Sequence, residues 1–113
     1  MKEKRLAIRY PVDKLPENLK TFMVDILRGA AIEVATFDAS SIGIGLVARV
    51  PSTTFSIYDH IVLNSVGDDF RLVGQIRYIH SKNDNSCQLG VEFKQSKSLN
   101  LYQSFLTGIE GTK

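Results

Sequence analysis

Apolar and polar residues alternate one by one through much of this chain, and turn chemistry interrupts the alternation every few residues. A period of two places successive side chains on opposite faces of an extended strand, so the rhythm confines the chain to short strands with one apolar face each. In Ser86–Phe93, Cys87, Leu89, Val91 and Phe93 share one face, while Gln88, Gly90 and Glu92 share the other. Ile42, Ile44, Leu46, Ala48 and Val50 alternate with Gly43, Gly45, Val47 and Arg49, and Pro51-Ser52-Thr53-Thr54 ends that strand. Further strands read at His60–Asn64 and Phe70–Ile79. The turns between strands are Asp38-Ala39-Ser40-Ser41-Ile42-Gly43, Gly67-Asp68-Asp69 and Asn83-Asp84-Asn85, where Asp, Asn and Ser side chains bond nearby amides and Gly accepts a positive φ.

Residues 19 to 28 fit two periods. Leu15, Leu19, Phe22, Met23, Ile26 and Leu27 recur at helical spacing, while Phe22, Val24 and Ile26 also alternate as in a strand. Arg28-Gly29 reads as a tight turn, and Ile32, Val34 and Thr36 follow it as a β-branched alternation, so the segment is expected to be one arm of a strand pair joined at Gly29. From Pro11 to Asn18 two prolines and alternating charges read as a loop. Beyond Lys94 the period becomes 3.6, with Leu99, Tyr102 and Leu106 on one stripe flanked by Leu101 and Phe105. Ser96 or Ser98 can cap this helix and Gly108 can end it.

Six strands and one terminal helix predict a mainly β fold, a small antiparallel Greek-key-like barrel whose closure hides its strand edges. At 113 residues the chain has the size of one domain. The expected divisions are an N-terminal arm over 1–12, the barrel over about 19–94 and the helix over about 97–107. No run of about 18 apolar residues exists to cross a membrane, and the basic start is not followed by the apolar block of a signal peptide, so the expected location is the cytoplasm.

Composition and spacing argue against several chemistries. The single Cys87 cannot form a disulfide within the chain, and with two distant histidines it cannot complete a zinc site. Its place on an apolar strand face makes it a core residue, not a nucleophile. His60 and His80 have no metal-binding spacing, Ser40 and Ser41 have no adjacent base, and Asp68 and Asp69 sit in a turn. No catalytic residue, cofactor or metal is expected. A net charge of +2 is too small for a duplex-DNA binder that works by phosphate neutralisation. An OB-like barrel for single strands needs exposed aromatics on a basic face, whereas the strand aromatics here are expected mostly on the apolar face.

Two motifs remain. The N-terminal arm carries Arg5-Leu6-Ala7-Ile8-Arg9, an RxxxR pattern, beside Lys2 and Lys4, and the turn after the second strand carries Asp38, Ser40 and Gly43 in a DxSxxG pattern. Together with Leu89-Gly90-Val91-Glu92-Phe93 near the end of the barrel, they resemble a PilZ domain, and the likeness runs from Lys4 to about Leu106. The resemblance implies a six-stranded split barrel with a C-terminal helix and a flexible basic arm. It implies binding of the bacterial second messenger cyclic di-GMP through Arg5, Arg9, Asp38, Ser40 and Gly43, and a protein partner that senses the bound state. It further implies that a basic residue just before the first motif arginine, here Lys4, favours an intercalated pair of messenger molecules. Two features depart from the pattern: Tyr10–Leu19 is longer than in compact members, and Tyr78 stands where Trp is common, so it either meets the ligand or fills the barrel beside Ile76.

The residue types suit that ligand on chemical grounds. The Arg fork matches guanine O6 and N7 or a phosphate bidentately, while guanine N1–H and N2–H suit a carboxylate such as Asp38. Ser40 and the turn amides up to Gly43 can receive a phosphate or a purine edge. Each position also has a plainer reading: Asp38, Ser40 and Gly43 as a hairpin turn, Arg9 as the partner of Asp13 or Glu17, and Lys4 as a solvated terminal charge. A non-binding PilZ-like adaptor is the alternative function.

Overall fold

A computed structural model of the chain describes residues 9–26 and 29–110, with side chains to Thr107. Its strands are β1 (Arg9–Tyr10), β2 (Thr21–Asp25), β3 (Ala31–Ser40), β4 (Gly43–Ala48), β5 (His60–Ser65), β6 (Arg71–Asn83) and β7 (Ser86–Glu92), followed by helix α1 (Ser96–Glu110). Antiparallel pairing runs in the order β3-β2-β5-β6-β7-β4 and closes through β4 back onto β3, with β1 added outside on β3. The architecture is a closed six-stranded antiparallel barrel with one extra strand and a C-terminal helix, as the strand count predicts. It consists of two meanders, β2-β3-β4 and β5-β6-β7, joined by the connection after β4.

The segment that fitted two periods is a strand. Phe22 lies opposite Val34 and Val24 opposite Ile32, and Gly29 at φ 77° makes the turn between the two strands. Helical spacing across Leu15, Leu19 and Phe22 arises from another cause. The loop before β2 contains two short 3-10 turns, Val12–Lys14 and Glu17–Leu19, which drop Leu15 and Leu19 into the core. Tyr10 is buried as well, so the stretch before β2 wraps the barrel. The buried hydroxyl of Thr36 donates to the Leu19 carbonyl at 2.7 Å, fastening that wrap to β3. Phe22, Leu46, Leu63, Leu72 and Leu89 are fully enclosed; such burial contributes about 1.5–3 kcal/mol per side chain.

Helix α1 buries Ser98, Tyr102 and Leu106, four residues apart along one stripe. The Ser98 hydroxyl accepts the Val73 amide at 2.8 Å, and Phe105 packs on Phe70 with ring centroids 4.9 Å apart, which holds the helix against the start of β6. Three sequence expectations change here. Ser98 is spent on β6 and Ser96 is already helical, so the Gln95 carbonyl takes the Leu99 amide. The helix also runs past Gly108 to Glu110. Ile42, expected on a strand, lies exposed in the turn before β4.

β2 and β5 are joined by only two register pairs, Phe22 with Ser65 and Met23 with Asn64. Beyond them the strands diverge, and a cleft of about 530 Å³ opens between Val24, Asp25 and Ile26 on one side and His60, Ile61 and Val62 on the other.

Candidate functional site

On the opposite side of the barrel, strict alternation fails twice, and a groove forms where it fails. Val34 and Thr36 of β3 face inward, so an unbroken strand would turn Asp38 inward too and place a carboxylate in the core, at a cost of several kcal/mol if unpaired. Thr36 pairs with Leu46 but Asp38 pairs with Gly45, which leaves Phe37 as an extra residue in a β-bulge. The phase flips. Ala39 is now buried, and the Asp38 side chain is on the outer face at 32% exposure.

The second bulge is on β6. Ile76 pairs with Val91 and Tyr78 with Gly90, so Arg77 is the extra residue. Ile76 stays in the core while Arg77 and Tyr78 both emerge, and Tyr78 is 42% exposed. Its ring lies over Gly90. A Cβ at Gly90 would sit 2.1 Å from that ring, and one at Gly45, the register partner of Gly90, would sit 2.9 Å from the Phe37 ring. Two facing glycines therefore make a floor that aromatic rings flank from the bulged strands. Gly43 completes it with its own close approach, since a Cβ there would meet the Val91 carbonyl at 2.4 Å.

The groove has a volume of about 670 Å³, and its charged lining consists of Arg9, Asp38, Arg77 and Glu92. β1 lays Arg9 opposite Ser40 at the end of β3, and its guanidinium donates to the Asp38 carboxylate. Across the floor, Arg77 Nη1 donates to Glu92 Oε1 at 2.5 Å. The Tyr78 hydroxyl is pushed up by burial and then by the Asp38 charge, against the pull of Arg9, so it belongs to the same electrostatic neighbourhood.

Helix α1 fixes the wall. The Tyr102 hydroxyl lies 2.6 Å from the Ser40 carbonyl and 2.7 Å from that of Gly43, and Gln103 Nε2 donates to the Ser41 carbonyl at 2.8 Å. Burial pushes the Tyr102 hydroxyl well above the usual tyrosine range, so it stays a proton donor. Within the turn, Ser40 Oγ accepts the Ile42 amide at 3.3 Å. With its carbonyls tied back to the helix, the turn has a defined shape before any ligand arrives.

No protein-family model matches this sequence, and no curated protein does. A solved structure does: a PilZ domain with c-di-GMP, from YcgR of Escherichia coli, superposes with a TM-score of 0.65, covering 97% of this chain and 94% of that one, at 14% identity. The chain has the PilZ-domain fold.

On this PilZ fold the described motif residues Arg9, Asp38, Ser40 and Gly43 come together in the groove. Lys4 and Arg5, with the rest of the arm before Arg9, lie outside the described residues. Arg9 pairs with Asp38, not with Asp13 or Glu17; Glu17 instead takes Lys20 at 3.2 Å. Tyr78 lines the groove and does not fill the barrel beside Ile76. The expectation that strand aromatics mostly keep to the apolar face is corrected at Phe37, which alternation with Val34 and Thr36 already places outside, and at Tyr78, which the β6 bulge turns out. Sequence reasoning missed Arg77, Glu92, Tyr102 and Gln103. The first two sit at outward positions beside Gly90, and a Gly45–Gly90 register match was the signal available for them. Helical periodicity placed Tyr102 on the buried stripe but carried no sign of where its hydroxyl lands. Cys87 is buried, which pushes its thiol up, while His60 and His80 are exposed. Among the described residues no helix is long and apolar enough to cross a membrane.

Proposed function

We propose that this chain is a receptor domain for cyclic di-GMP, acting in the cytoplasm without catalytic activity and reporting the bound state to a protein partner. The reading rests foremost on the Arg9–Asp38 pair at the mouth of the groove. Each member currently satisfies the other. A guanine presents two acceptors to an Arg fork and two donors to a carboxylate, so one base can replace both halves of the pair at once. Ser40 and the turn to Gly43 then face the remaining polar edge of the ligand, and Tyr78 offers a ring beside it. The fold of a domain solved with c-di-GMP lends the reading support.

In this account Arg5 joins Arg9 in gripping the messenger, Lys4 favours two molecules per chain, and residues 1–12 rearrange over the barrel to alter a surface the partner meets. One domain over 1–113 carries out both the binding and the signalling. The oligonucleotide reading is disfavoured because, among the described residues, both arginines of the groove are matched by carboxylates, so the groove carries no net positive charge.

Titration calorimetry with cyclic di-GMP and cyclic di-AMP tests the reading. Binding of the first with discrimination against the second is expected, because adenine inverts both donor patterns, with a ratio of two ligands per chain. Equal binding of both, or binding of neither at high protein concentration, would overturn it and promote the adaptor that does not bind nucleotide.

A further inference from the structure

Arg77 is the second cation of the groove, and its surroundings resemble those of a held lever. It is the extra residue of the β6 bulge and stands exposed beside Tyr78. One side of its guanidinium donates to Glu92 at 2.5 Å, and its Cζ lies 5.7 Å from the centroid of the Tyr58 ring. The Tyr58 backbone has φ 72°, a left-handed conformation that is strained for a non-glycine residue and persists only where neighbours enforce it. Those neighbours are the two residues that precede Arg77 in sequence. The Tyr58 amide donates to the Ile76 carbonyl at 2.7 Å, and the Tyr58 carbonyl accepts Gln75 Nε2 at 3.1 Å. The strained residue thus brings an exposed ring up to the arginine.

Charge balance says what the lever is for. At rest the four charged groups of the groove cancel in two pairs, Arg9 with Asp38 and Arg77 with Glu92. A cyclic dinucleotide carries one negative charge on each of its two phosphates. If Asp38 turns to guanine donors, Arg9 is freed for one phosphate, and among the described residues the other lining cation is Arg77, whose charge is spent on Glu92. The ion pair is 43% exposed on the arginine side and 28% on the carboxylate side. Such a partly solvated pair is cheap to open.

We infer that Arg77 is a ligand-binding arginine of this groove, held in reserve by Glu92 and Tyr58, and that Glu92 sets the affinity by competing with the ligand phosphate for it. This rests on the cyclic di-GMP reading above and adds to it a residue from outside both motifs.

Calorimetry on the full chain with cyclic di-GMP is the test, with thermal melting of each variant as the check on folding. Arg77→Ala should weaken binding by about tenfold or more, as loss of a charge-assisted hydrogen bond does. Arg71→Ala, an exposed arginine on the same strand, should leave it unchanged. Glu92→Gln should tighten binding severalfold, and that gain should vanish in Arg77→Ala/Glu92→Gln, because the carboxylate acts through the arginine. A wild-type chain that binds while Arg77→Ala binds equally well overturns this inference and leaves the receptor reading standing. A gain from Glu92→Gln that persists without Arg77 overturns the competition, showing only general repulsion. A wild-type chain that binds nothing overturns both.

Discussion

The two sides of the barrel differ in how faithfully they keep the period of two. On the β2–β5 side, Phe22 and Val24, and Ile61 and Leu63, point inward without interruption, and among the described residues the cleft beside them is lined by Asp25, Asp59 and His60 amid aliphatic side chains, with no arginine. On the β3–β6 side, β3 slips at Phe37 and β6 at Arg77, with a second β6 slip between Ser81 and Asn83, and the groove beside Phe37 and Arg77 gathers two arginines, two carboxylates and a tyrosine. The regular strands build the core. The irregular ones export polar and aromatic side chains that strict alternation would have buried, and the bulge is the device that lets one strand do both.

Substitutions can break this division. The largest effect is expected at Leu63→Ala in β5, a fully buried site, which should destabilise the fold by about 2–5 kcal/mol in chemical denaturation while the folded fraction keeps its ligand affinity. Arg9→Ala should do the reverse. Its side chain is 66% exposed, so folding should hardly change, whereas affinity for cyclic di-GMP in calorimetry should fall by about 1.5–3 kcal/mol. If Arg9→Ala melts early with its affinity unchanged, the Arg9–Asp38 pair is a structural fastener and the division fails. A smaller effect is expected at Tyr78→Leu, which keeps apolar cover over Gly90 but removes the aromatic face. A loss of about 0.5–1.5 kcal/mol in binding, with little change in melting temperature, would place the ring against the ligand; a change in stability alone would make it a cover for the glycine floor.

The same division separates what is legible in the sequence from what is not. The strands from His60 to Phe93, their Gly67 and Asn83-Asp84-Asn85 turns and the terminal helix all follow from local periodicity and turn residues, which need no knowledge of the partner strand. The motif turn, narrower than expected because Asp38, Ala39 and Ser40 still pair on β3 and the turn itself is Ser41-Ile42, is legible for the same reason. The phase of Asp38 and Tyr78 is not, because a bulge is a one-residue slip decided by what lies on the neighbouring strand, here Gly45 and Gly90. Tracing alternation through Ile76 leaves Tyr78 facing the barrel, and only the slip at Arg77 turns it out. The clamp of Tyr102 and Gln103 on the Ser40–Gly43 turn is likewise a contact about sixty residues apart in the chain, beyond any local pattern.

The central claim is that the groove on the bulged strands, and not the cleft at the β2–β5 seam, receives the dinucleotide. Backbone amide NMR spectra recorded during addition of cyclic di-GMP test it directly. The account predicts shifts concentrated at residues 38–45, 77–78 and 90–92, with residues 24–26 and 59–62 unmoved. Shifts concentrated at the seam with a quiet groove, or a spectrum unchanged at saturating ligand, would contradict it.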